Sequence, residues 1–242
     1  MLSYMMFGMF DPLYFLLLAP GLILGIWAQY RVSSAFADGQ RYRSPHGMTG
    51  AQAAREVLRA AGVGELPIEP IEGQLSDHYD PRSKVLRLSP EVFYGQTLSA
   101  VGVAAHEAGH AIQDATGYPL LVLRNAIVPM ASLGSNLSWI MIFGGIMLMY
   151  MGLLLGQWVM LVGIGLFAIT VIFQLVNLPV EFDASRRARL MLVNHGIISE
   201  GEDVVVGKVL NAAAMTYVAA TLTAVMTLLY FLIRSGVLGG RR

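Results

Sequence analysis

The chain contains no cysteine, which excludes a disulfide scaffold, thiol catalysis and any cysteine-based zinc or iron–sulfur site. It is also poor in charge. Only 13% of its 242 residues are Asp, Glu, Lys or Arg, against roughly 25% in soluble domains. Its 16 basic and 16 acidic residues cancel, so no global field favours nucleic acid as a partner. Internal repeats and low-complexity tracts are absent. What the chain has in quantity is apolar surface: 55% hydrophobic residues and a mean hydropathy of +0.59. That balance excludes disordered, collagen-like and coiled-coil classes and argues against an ordinary water-soluble globule. The expected environment is a lipid bilayer.

The few charges are strongly segregated. None occurs from Pro12 to Tyr30, from Asn125 to Val180 or from Val209 to Ile233, runs of 19, 56 and 25 residues. About 20 apolar residues span a bilayer as a helix, so the first and third runs each hold one span. The middle run would be roughly 84 Å long as a single helix, nearly three hydrocarbon thicknesses, and must fold back. Two spans, about 137–154 and 158–178, joined by a turn over Gly152–Trp158, satisfy it. Four transmembrane helices follow, in a multi-pass membrane protein. The N-terminus has no Lys or Arg before Arg31 and no clear small-residue cleavage site, so it reads as an anchor rather than a removable signal.

Between the spans lie two polar inserts. Arg31 to Arg124 carries nine basic and ten acidic residues, and Glu181 to Lys208 carries four and five. Two spans separate them, so both face the same side. The expected organisation is an anchor (1–30), a soluble catalytic insert (31–136), a helical hairpin (137–180), a second polar insert (181–208) and a C-terminal helix with its tail (209–242). Arg31, Arg124, Arg186, Arg187, Arg189 and Lys208 favour cytoplasmic inserts by the positive-inside rule. Arg234, Arg241 and Arg242 oppose it.

Within the first insert, Thr49 with Gln52 signals a helix start, and Gly62 and Gly64 its end. Short extended segments follow near Leu66–Ile71, Leu75–Tyr79 and Lys84–Ser89, the last reading as a half-exposed edge strand. Ser89-Pro90-Glu91 opens a helix. A long apolar helix then runs from about Thr97 to Ala115, and it contains His106-Glu107-Ala108-Gly109-His110. On a helix, positions i and i+4 share a face, so both imidazoles can reach one metal ion. Glu107, one step round, can reach a metal-activated water as general base. Three ionisable groups in an apolar turn would be costly without a metal or other partners.

A catalytic zinc needs a third protein ligand and an open position. Histidine offers only His46, His78 and His195 besides the motif. Among the glutamates, Glu181 is conspicuous: it ends the 56-residue uncharged run, and the hairpin returns it to the face that holds the motif. The less favoured reading is a juxtamembrane carboxylate paired with Arg186 or Arg187. His195, before Gly196, reads as a helix C-terminal residue. Gln174 and Asn177 either line a polar path or join helices.

The sequence resembles the YugP-like neutral zinc metallopeptidases, integral membrane proteins with an H-E-x-x-H motif. The likeness rests on Asp77-His78-Tyr79-Asp80-Pro81-Arg82, Leu86-Arg87-Leu88-Ser89, Val103 to Gln113 around the motif, Pro179-Val180-Glu181-Phe182-Asp183-Ala184-Ser185 and Ala212 to Val218, covering about residues 31–225. The metal site is also similar to that of the HtpX-like membrane peptidases, whose third ligand comes from E-x-x-A-D; Ser185 here stands where that pattern has Asp. The resemblance implies a mainly α membrane protein with a small α+β zincin-like domain, containing a short sheet and the motif helix. It implies Zn2+ held by His106, His110 and Glu181, and Glu107 as general base. The substrate would be a peptide or protein, membrane-associated or unfolded, in membrane protein quality control. His78 and Tyr79 are candidate substrate or oxyanion contacts. Leu86 and Leu88 would lie on a strand able to pair with an extended substrate. Two other readings compete: a catalytically silent zinc-binding scaffold, disfavoured because Glu107 is present, and an intramembrane site-2-type protease, disfavoured because the last three spans contain no Asp.

Overall fold

The computed structural model describes residues 11–73 and 76–238. Leu75, at the start of one expected strand, and the terminal Arg241 and Arg242 lie outside the described residues. In chain order the elements are α1 (Pro12–Gly39), α2 (Gly50–Ala60), β1 (Ile68–Pro70), β2 (His78–Asp80), β3 (Val85–Leu88), the short α3 (Pro90–Phe93), α4 (Leu98–Ala115), α5 (Pro119–Tyr150), α6 (Leu155–Asn194) and α7 (Glu200–Arg234). Among the described residues, α1, α5, α6 and α7 are long and apolar enough to cross a membrane. Among the described residues the protein is mainly α, with four candidate membrane-spanning helices and one small three-stranded sheet.

Each long helix extends beyond its apolar run at one end or more. α5 starts at Pro119 rather than near 137, α6 continues to Asn194, and α7 starts at Glu200. Hydropathy marks where a helix meets hydrocarbon, whereas its hydrogen bonding continues into polar sequence wherever nothing breaks it. Residues 181–208 therefore form no separate lobe. They are the end of α6, a turn in which Gly196 takes a φ of +65°, and the start of α7. His195 lies in that turn, just past the end of α6.

The chain divides into two compact units. Among the described residues, the first comprises 11–26, 123–178 and 217–238. Its core gathers Ile142, Met160, Ile164, Phe167, Tyr230 and Phe231. Glycines let α5 and α6 approach closely there. A Cβ at Gly145 would lie 2.5 Å from the Met160 nitrogen, and one at Gly163 2.8 Å from the Ile142 nitrogen. Small residues serve this purpose between helices in lipid. Asp11, buried at the head of α1, accepts from the Tyr230 hydroxyl (2.9 Å) and from Arg234 Nε (2.6 Å).

The second unit comprises 27–122 and 179–216. A reciprocal capping box between Thr49 and Gln52 opens α2. Val57 and Leu58 of α2, Leu86 and Leu88 of β3, Val101, Ala104, Ala105 and Ala108 of α4 and Leu192 of α6 share one core. The sheet order is β1-β3-β2, with β1 parallel and β2 antiparallel to β3. β3 is thus the central strand, not an edge, and the expectation of strand addition along it is corrected: both of its sides are paired. Leu86 and Leu88 are fully buried, so they pack the core and face no substrate. The polar residue that gave β3 its half-exposed look, Arg87, reaches acids on both neighbours, Asp80 at 3.1 Å and Glu69 at 3.8 Å.

Candidate metal centre

His106 and His110 lie one turn apart on α4, and Glu181 projects from α6. Glu181 Oε2 is 3.4 Å from His106 Nε2 and 3.5 Å from His110 Nε2. One ligand atom from each residue fits within 4.8 Å of the others. Donors about 2.0–2.1 Å from a tetrahedral ion stand roughly 3.3 Å apart, close to both measured separations. Glu181 is 3% exposed, and its Oε2 accepts no hydrogen bond. A buried carboxylate oxygen left unpaired between two imidazoles would be costly as it stands, and a divalent cation satisfies all three groups. The donor set, two imidazoles and one carboxylate, suits zinc.

Local packing explains how α4 and α6 come so close. A Cβ at Gly109 would lie 2.6 Å from the Ala184 carbonyl oxygen and 3.1 Å from its carbon. The two backbones therefore touch inside the motif. Around the triad, Ser185 Oγ lies 3.1 Å from His106 Nδ1, and Gln113 Oε1 lies 3.0 Å from His110 Nδ1. Gln113 also donates to Asp183, which holds Arg186 and Arg187. Position 185 thus offers His106 a hydroxyl, while Asp183 reaches the other imidazole through the Gln113 amide.

Glu107 is buried and accepts the Tyr79 backbone N–H at 3.0 Å. Burial pushes its carboxyl up to about 7; Glu181 and Asp77 add to the rise and His106 opposes it. Tyr79 meets the site through its main chain. Its hydroxyl donates to Asp114 at 2.6 Å, and Lys84 engages the same carboxylate. Burial and Asp114 raise the Tyr79 pKa. The hydroxyl is therefore committed elsewhere and is not the oxyanion donor. His78 is half-buried, with Nδ1 2.8 Å from the Ser76 carbonyl. The residues overlooked from sequence are Gln113, Asp183 and Gly109. A glutamine three positions after His110 in an apolar helix was the available signal for the first.

Residues 14–236 match the family model described as "Putative neutral zinc metallopeptidase". The chain belongs to this family. It is also 43% identical over 221 residues to "Putative membrane protease YugP" of Bacillus subtilis (strain 168), covering 90% of this chain and 95% of that protein. No solved structure matches it. Zinc is the metal named for the family, and the His106–His110–Glu181 group is able to bind one.

Proposed function

We propose that this chain is a membrane-embedded zinc endopeptidase in which His106, His110 and Glu181 ligate the metal and Glu107 is the general base. Zinc in this position supplies a Lewis acid that acidifies water and polarises the scissile carbonyl. Glu107 takes the proton of the attacking water and delivers it to the leaving amine. A pKa of about 7 suits a group that must both accept and give a proton near neutrality. The Tyr79 N–H holds one oxygen of Glu107 and so orients the carboxylate. With β3 enclosed, the outer side of β2 is the sheet edge beside Glu107, and an extended peptide would align there.

The compact unit of residues 27–122 and 179–216 carries this chemistry, and the other unit anchors it. Glu181 follows the long uncharged run directly along α6, which supports a site close to the bilayer surface. The excess of Arg and Lys flanking the spans supports cytoplasmic inserts, with membrane-associated or unfolded polypeptides as substrates.

The observation that carries the reading is the unpartnered, buried Oε2 of Glu181 between two imidazoles. Replacing Glu181 with Ala removes the third ligand. Zinc affinity, measured by competition with a chromogenic chelator, should fall by at least about tenfold while the helical content is kept. Unchanged affinity and stoichiometry would remove Glu181 from the ligand set.

A further inference from the structure

Gln113 lies three residues beyond His110 on α4 and is fully buried. Its Nε2 donates to the Val180 carbonyl at 2.8 Å and to Asp183 Oδ2 at 2.9 Å, while its Oε1 lies 3.0 Å from His110 Nδ1. A carbonyl and an ionised carboxylate only accept hydrogen bonds. Asp183 is kept ionised by Arg187, whose Nε lies 2.5 Å away, and by Arg186. The flipped amide would set its oxygen against two acceptors, so the nitrogen has to face α6. The oxygen is then what His110 meets, and His110 Nδ1 must carry the hydrogen. A neutral imidazole protonated at Nδ1 keeps its lone pair on Nε2. That is the atom 3.5 Å from Glu181.

We infer that Gln113 is a positioning residue for the metal centre: by donating to two acceptors on α6 it fixes His110 as the Nδ1–H tautomer, with Nε2 free to ligate. The inference rests on His110 being a zinc ligand. One side chain thereby sets an imidazole on α4 and holds the α6 turn that carries Glu181, because Val180 immediately precedes it. His106 is treated differently. Its Nδ1 faces the Ser185 hydroxyl, which donates or accepts and so imposes neither tautomer. His110 is the pre-set ligand of the pair and His106 the adaptable one.

The test uses the full chain in detergent and the Gln113→Met variant, which keeps side-chain length but offers no comparable acceptor. Zinc affinity of the variant should fall by about tenfold or more, the usual effect of losing such a partner. In metal-free protein labelled with 15N-histidine, the His110 ring (assigned by its loss in His110→Gln) should carry its hydrogen on Nδ1. In Gln113→Met it should become a mixture of tautomers. An affinity within about twofold of the unmodified chain, in a variant with unchanged thermal unfolding, would overturn the inference. So would an Nδ1 of His110 that carries no hydrogen in the unmodified protein, a measurement that needs no variant at all. If the unmodified chain bound zinc no better than His106→Ala, the ligand assignment itself would fail, and the ring-nitrogen spectrum would still decide the Gln113 contact.

Discussion

Glu107 is a buried carboxyl whose folded pKa of about 7 exceeds its ordinary 4.5. Between those values the folded chain holds a proton that the unfolded chain releases. Stability contributed by this group is therefore lost as pH rises from about 4.5 to 7, and the loss is complete above that window. A difference of that size corresponds to about 3 kcal/mol. Metal-free Glu107→Gln should accordingly be more stable than the unmodified chain at pH 8, by up to about 3 kcal/mol, and equally stable near pH 4. Unfolding curves across that pH range check it; a variant less stable at pH 8 would contradict the burial argument. Destabilising a fold to keep a base near neutrality is what a proton-transfer role asks for.

At the scale of elements, the centre depends on the contact between α4 and α6. Gly109 is the position where their backbones meet. Gly109→Ala inserts a methyl group where no flexible side chain can yield, and overpacking of this kind costs about 1–3 kcal/mol. It should also weaken zinc binding, since a sub-ångström separation displaces Glu181 from both imidazoles. Thermal unfolding and chelator competition would show the two effects together; loss of stability with unaltered affinity would mean that α6 can slide without moving its carboxylate.

The helix carrying the motif was legible from its local pattern, as was the capping box of α2, because both depend on neighbours in sequence. The sheet order was not. β3 looked like an edge through Arg87, and only the pairing of β1 and β2 on either side reveals that this half-exposed guanidinium bridges acids on both neighbours. Gln113 stayed hidden for the same reason: its meaning lies in Val180 and Asp183, roughly seventy residues away.

For the molecule as a whole, the map of uncharged runs located four long apolar helices, and the missing cysteines become an experimental convenience. A single cysteine introduced at the exposed Glu65 has no competitor in the chain. An impermeant thiol reagent should label it only in inverted vesicles or opened cells. Labelling in intact cells would reverse the proposed sidedness while leaving the chemistry untouched. That chemistry is tested most directly by proteolysis. The purified protein, loaded with zinc, should cleave a generic unfolded polypeptide, and Glu107→Gln, loaded to the same zinc stoichiometry, should cleave it at least about a hundredfold more slowly. Equal cleavage by the two proteins would contradict the account.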